Sequence, residues 1–236
     1  GDADILELGT TSDTSDADFT HVSNIEILKL TGIGAGTIVL GQNAFDAGIK
    51  TVDASATLGM LTIDASGFPG ALTVIDGNGN GTIMGPNSAP MTLKMGLGDD
   101  TITTGSADDT FEVDNGELTF GDVITDNGGV DTVVFQNGAA GNAGGIHASV
   151  DLTNVTGVEE YTFATDGAGG ADAHTLAFRN GDIDTLTKIT VDASPVTDAD
   201  DSLSVTLEAS IDVDYEFDLT GTAGNDLFIK EGVNNN

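Results

Sequence analysis

The sequence predicts an all-β fold, a right-handed parallel β-solenoid or β-roll, and three observations lead there. Short apolar runs recur about every ten residues, Gly, Asp, Asn or Ser separates them, and helical spacing is hard to find anywhere. Similar rungs follow one another, and Asn-Gly hairpin turns between long alternating strands are scarce. Both features favour a solenoid over a sandwich or a barrel.

The rungs are Ile25–Leu30, Thr37–Leu40, Thr51–Asp53, Leu61–Asp64, Leu72–Ile75, Thr82–Met84, Met91–Lys94, Thr101–Thr103 and Thr110–Val113. Each carries β-branched or large apolar residues, the side chains that suit a pleated, half-buried surface. Threonine is frequent on them, so stacked rungs should place Thr ladders on the outer faces. Phe19, Phe45, Phe68, Phe163 and Phe178 read as core or turn-packing residues. Asp53, Asp64 and Asp192 each open an Asp-Ala-Ser triplet, where the carboxylate ends the strand by bonding to nearby backbone.

A longer period overlies the rungs. Asp4-Ile-Leu-Glu-Leu8 recurs as Asp131-Thr-Val-Val-Phe135, Val22-Ser-Asn-Ile-Glu26 as Val155-Thr-Gly-Val-Glu159, and Lys50–Ser55 as Lys188–Ser194. A unit of about 130 residues is thus duplicated. The predicted units are residues 1–127 and 128–236, with the boundary at Asn127-Gly128-Gly129. Gly1 in place of an initiator Met, and the tail Gly232–Asn236, read as the cut ends of a longer tandem array.

Composition excludes several functions. The 236 residues hold 39 Asp plus Glu against six Lys plus Arg, a formal net charge of −33. Nucleic acid is no partner for such a surface, because phosphates need Lys and Arg to neutralise them. Self-repulsion of this size is relieved by bound cations. Cysteine is absent, which removes disulfides, zinc–thiolate sites and thiol nucleophiles. No apolar stretch is long enough for membrane insertion. There is no G-x-S-x-G, H-E-x-x-H or P-loop, and with 39 acids carboxylate pairs arise by chance, so the chain does not read as an enzyme. His21, His147 and His174 share no metal spacing and are expected to face solvent, and Arg179 and the lysines are too dispersed for an anion site.

The sharpest local signal is a pair of consecutive nine-residue blocks. Met95-Gly-Leu-Gly-Asp-Asp-Thr-Ile-Thr103 is followed by Thr104-Gly-Ser-Ala-Asp-Asp-Thr-Phe-Glu112, with Asp and the large apolar residue in register. The pattern is that of the nonapeptide G-G-x-G-x-D-x-U-x of calcium-binding β-rolls. Glycine brings backbone carbonyls close to a cation, Asp adds a hard charged oxygen, and Ca²⁺ takes six to eight such oxygens. Ile102 and Phe111 point inward and pin the strands.

In these residues the chain resembles the RTX (repeats-in-toxin) group of exported calcium-binding proteins. Gly77-Asn-Gly-Asn-Gly-Thr-Ile83 and Gly221-Thr-Ala-Gly-Asn-Asp-Leu-Phe228 look like further copies, although the first has Gly81 where the motif has Asp. The stretch Asp109–Asp114, Gly121–Asp126 and Asp131–Val134 is similar to segments that follow such repeats. Val22–Leu28 is similar to an element of bacterial surface-layer proteins and giant adhesins. The resemblance implies Ca²⁺ ligands at Asp100 and Asp109 with the carbonyls of Gly96 and Gly98. It extends the ligand role to Asp99 and Asp108 at the variable position, and to Asn80, Asp131, Asn225 and Asp226 in the looser copies.

The function implied is that of an extracellular calcium-binding structural protein, secreted or held at the cell surface. It would be a surface-layer or biofilm-matrix subunit that associates with itself into a lattice or filament when calcium is present. The alternatives are a repeat module of a large secreted adhesin and the non-catalytic calcium-binding domain of a secreted enzyme such as a protease or epimerase.

Overall fold

A computed structural model describes residues 3–9, 13–32, 35–136, 150–164, 173–178, 188–196, 201–207 and 216–230. The tail 232–236, His147 and Arg179 lie outside these residues. The chain divides into two compact units, Gly1–Phe111 with Gly121–Asp131, and Glu112–Phe120 with Thr132–Asn236.

The first unit contains β1 (Ile5–Leu8), β2 (Ile27–Leu30), β3 (Gly36–Val39), β4 (Thr51–Asp53), β5 (Leu61–Asp64), β6 (Leu72–Ile75), β7 (Gly81–Met84), β8 (Met91–Lys94), β9 (Thr101–Thr103), the start of β10 (Thr110–Val113), and β11 (Val123–Thr125). One sheet runs in the order β1-β2-β4-β6-β8-β10, the other β3-β5-β7-β9-β11. Neighbours from β1 to β8 in the one sheet and from β3 to β11 in the other pair in parallel, as in β4 with β6 and β5 with β7. From β4 onward each strand belongs to the opposite sheet from its predecessor, so two strands and two turns make one coil. Parallel coils stacked in this way form a β-solenoid, as the rungs predict.

Register explains the sequence pattern. Ile38, Ile63, Ile83, Ile102 and Ile124 stack directly over one another and are all buried. Leu28, Val52, Val74 and Leu93 line the facing sheet in the same way. Each such side chain contributes about 1.5–3 kcal/mol by leaving water. The neighbouring outward row is Thr37, Thr62, Thr82 and Thr101, one threonine per rung, which is the predicted ladder. At the strand ends, Oδ1 of Asp53, Asp64 and Asp192 accepts the N–H of Ser55, Ser66 and Ser194 at 3.1, 3.0 and 2.9 Å, as the triplets predict.

One element departs from the sequence reading. Residues Gln42–Ala47 form a short helix, α1, where the residue spacing predicts none. Its support is tertiary. The Asp16 carboxylate, in a 3₁₀ turn 25 residues before Gly41, accepts the N–H groups of Gly41, Ala44 and Asn43 at 2.7, 2.9 and 3.1 Å. Burial raises the Asp16 pKa, but these bonds outweigh it and hold the carboxyl below its ordinary range. Gly48, at φ +101°, ends the helix in a conformation that favours glycine.

The second unit repeats the parallel plan. Its strands are β12 (Thr132–Phe135), β13 (Val150–Asp151), β14 (Val155–Thr156), β15 (Glu160–Phe163), β16 (Ala173–Phe178), β17 (Lys188–Asp192), β18 (Ser202–Leu207), β19 (Glu216–Thr220) and β20 (Leu227–Lys230). One sheet orders β12-β15-β17-β19 and another β13-β16-β18-β20. His174 corrects the expectation of a solvent-facing side chain: it is 1% exposed, with its ring 4.7 Å from that of Phe163. It occupies an inward position of β16, where the alternation of the strand decides burial more strongly than side-chain polarity. Among the described residues no helix is long and apolar enough to cross a membrane.

Candidate metal centre

From β4 onward each coil of the first unit has two turns, one at each edge of the sheets. The turn after β9 spans residues 104–109 and the turn after β11 spans 126–131, and the two stack at one edge. The Asp that closes each turn points inward, because its Oδ1 caps a backbone N–H of the preceding coil. Asp109 Oδ1 accepts Met91 N–H at 2.6 Å, and Asp131 Oδ1 accepts Asp109 N–H at 2.6 Å. The Asp that opens the second turn, Asp126, accepts the Thr104 hydroxyl on Oδ1 and Gly128 N–H at 2.6 Å on Oδ2. Asn127 Nδ2 ties the turns together by donating to Thr104 O at 2.7 Å.

Asp109, Asp126 and Asp131 are all buried, and each offers a carboxylate oxygen within 4.8 Å of the others. Asp109 Oδ2 is buried without a hydrogen-bond partner. Burial first, and then the like charge of Asp126, push the Asp109 pKa up to about 6, against the lowering effect of the Met91 N–H. Asp131 is raised as well, first by burial and then by its contact with Asp126. Buried carboxylates of one sign either keep a proton or share a cation. With oxygen donors only, and neither Cys nor His in the set, the cluster suits a hard metal ion.

At the other edge lie the turns after β6 and β8. Asp100 is fully buried, its Oδ1 accepts Gly81 N–H at 2.6 Å, and its own N–H donates to Asp122 Oδ1 at 2.8 Å. Burial first, then the neighbouring charge of Asp76, raise the Asp100 pKa to about 7.

The sequence-predicted residues therefore separate into groups. Asp109 and Asp131 meet in one cluster, and Asp100 lies in the other. Asp99, Asp108 and Asn80 sit on the exposed rims of the turns and join coils: Asp99 N–H donates to Asn80 Oδ1 at 3.1 Å, and Val130 N–H to Asp108 Oδ1 at 2.9 Å. Gly96 is buried where a Cβ would overlap the Gly77 carbonyl oxygen, so glycine permits the coils to stack. Gly98, at φ +139°, packs on Asn80 of the preceding coil. Asn225 and Asp226 belong to the second unit. Asn225 is exposed, while Asp226 Oδ1 accepts Leu203 N–H at 2.9 Å and the Thr222 hydroxyl at 2.8 Å.

Sequence reasoning missed Asp76, Asp122 and Asp126. The signal for Asp76 and Asp126 is present: each directly follows a strand and stands five residues before the position of the motif's Asp. The signal for Asp122 is the Gly-Asp pair directly before β11. Comparison with family models, curated proteins and solved structures returned no match.

Proposed function

We propose that the chain is a calcium-binding structural module of an extracellular protein, a surface-layer or biofilm-matrix subunit that assembles with Ca²⁺. The observation that carries this reading is the Asp109–Asp126–Asp131 cluster, with Asp109 Oδ2 buried and without a hydrogen-bond partner. Oxygens sharing one Ca²⁺ at about 2.3–2.6 Å lie up to about 5 Å apart, whereas Mg²⁺ at about 2.0–2.1 Å would draw them within about 4.2 Å. The three carboxylates lie within 4.8 Å of one another, a grouping that suits a shared hard cation, and the choice of Ca²⁺ rests on the resemblance of the nonapeptide blocks to the RTX group.

Calcium would then act as a staple between successive turns, because Asp109 belongs to one turn and Asp126 and Asp131 to the next. Extracellular calcium would hold the fold, and a low-calcium interior would leave its carboxylates repelling one another. The nonapeptide blocks and their resemblance to the RTX group support the same reading. Self-association is supported by the net charge of −33, which opposes contact between copies until divalent ions screen or bridge it. It is also supported by β20, where Leu227, Phe228 and Ile229 are exposed on a strand that pairs with β18 alone among the described residues.

Calorimetric titration of chelator-treated protein with Ca²⁺ and with Mg²⁺ tests the site. Ca²⁺ should bind at least about tenfold more tightly, and Asp126→Asn should lose that preference. Equal affinity for both ions, unchanged by Asp126→Asn, would remove the calcium reading. Light scattering and electron microscopy across the same titration at constant ionic strength test assembly. Filaments or sheets are expected with Ca²⁺, and persistent monomers would favour the adhesin module instead.

A further inference from the structure

The turn between β6 and β7 breaks the nine-residue pattern at the position that carries the charge. Gly81 stands where later turns have Asp100, Asp109 and Asp131. The carboxylate missing there reappears at the opposite end of the same turn. Asp76, directly after β6, is 6% exposed and faces Asp100. Its N–H pairs with Lys94 O at 2.9 Å, and its Oδ1 accepts Gly77 N–H at 2.7 Å.

Three successive coils supply acids here, and Asp122 of the last accepts the Asp100 N–H. Asp76 comes from the first, Asp100 from the second and Asp122 from the third, and Asp100 and Asp122 are 0% and 1% exposed. Asp100 Oδ2 is buried and has no hydrogen-bond partner, and the charged groups acting on that carboxylate are Asp76 and Asp122, both negative. A Cβ placed on Gly81 would lie 3.2 Å from Asp100 Oδ1 and 3.5 Å from both Asp76 carboxylate oxygens. Two carboxylates thus close on Gly81, and an alanine methyl there would touch both.

We infer that Asp76 and Asp100 form a second divalent-cation site, with Asp122 holding the Asp100 backbone, at the opposite edge of the coils from Asp109, Asp126 and Asp131. Asp76 supplies from the start of the turn the carboxylate that Gly81 omits from its end, and Gly81 leaves room for the ion. The site extends the calcium reading but stands on separate residues, so each can fail alone. The interruption of the motif at Gly81 is then a relocation of a ligand and not the loss of a site.

Calcium calorimetry on the whole chain, with folding followed by circular dichroism, tests this with Asp76→Asn, Gly81→Ala and Asp126→Asn. Asn at 76 keeps the oxygen that caps Gly77. The wild type should take up one more strongly bound ion than Asp76→Asn, and one more than Asp126→Asn, with losses that add in the double variant. Gly81→Ala keeps every carboxylate and fills the space, so it should weaken the same ion as Asp76→Asn by at least about tenfold even if Asp76→Asn folds poorly. Wild-type stoichiometry and affinity in both Asp76→Asn and Gly81→Ala would overturn the second site. If Asp126→Asn still lost an ion in that case, the first site would stand.

Discussion

Asp109 and Asp100 set the behaviour of the fold at the residue scale. Each is a buried carboxylate with one oxygen bonded to backbone and the other without a donor. In the absence of a cation, ionisation leaves a charge beside other carboxylates. Asp109→Asn removes that charge and keeps an oxygen for Met91 N–H. In chelator near pH 8 the variant should be more stable than wild type by about 1–3 kcal/mol, while its stabilisation by Ca²⁺ shrinks. Denaturant titration with and without Ca²⁺ measures both, and a loss of stability in chelator would contradict the picture of an unbalanced charge. The same groups predict a pH dependence. Their folded-state values, about 6 for Asp109 and about 7 for Asp100, lie above the ordinary 3.8. Their stabilising contribution is therefore complete below about pH 4 and is lost as pH rises through about 6 to 7, with a tenfold difference in proton affinity between folded and unfolded chain corresponding to about 1.4 kcal/mol. Melting in chelator should occur at lower temperature at pH 8 than at pH 5, and saturating Ca²⁺ should flatten or reverse that slope because the ion needs the carboxylates deprotonated.

At the scale of the element, the isoleucine stack separates core from surface. Ile102→Ala leaves a cavity beneath Ile83 and beside Ile124, and should cost about 2–5 kcal/mol with or without calcium. Thr82→Ala, on the exposed outward row of the same sheet, should cost less than about 1 kcal/mol. Comparable losses in chemical denaturation would contradict the inward and outward assignment. This alternation also made the strands legible in the sequence. Leu61–Asp64, Leu72–Ile75 and Met91–Lys94 appear with the bounds read from residues alone, because period-two burial is written locally. The helix Gln42–Ala47 was not legible, since its cap, Asp16, is fixed by coil stacking and not by neighbouring sequence. The site was legible only in part for the same reason. Asp100 and Asp109 lie in the repeating pattern, whereas Asp76 and Asp126 become inward-facing only when one turn is set on the next.

For the whole molecule, charge and burial conflict without a counter-ion. A chain of net charge −33 places Asp76, Asp100, Asp109, Asp122, Asp126 and Asp131 inside one of its two units. Cations bound at these turns would convert that repulsion into cross-links between coils, so that binding free energy becomes folding free energy. Two sites at about a hundredfold excess over their dissociation constants would contribute about 5 kcal/mol, enough to raise melting by about 10 °C or more in a protein of this size. The most direct measurement is the melting temperature by circular dichroism at neutral pH, in chelator and in millimolar Ca²⁺, with ionic strength held constant by NaCl. A calcium-specific rise of about 10 °C or more, absent in the Asp100→Asn, Asp109→Asn double variant, is the predicted result. An identical melting temperature in chelator and in Ca²⁺ would contradict the claim that bound calcium holds these turns together.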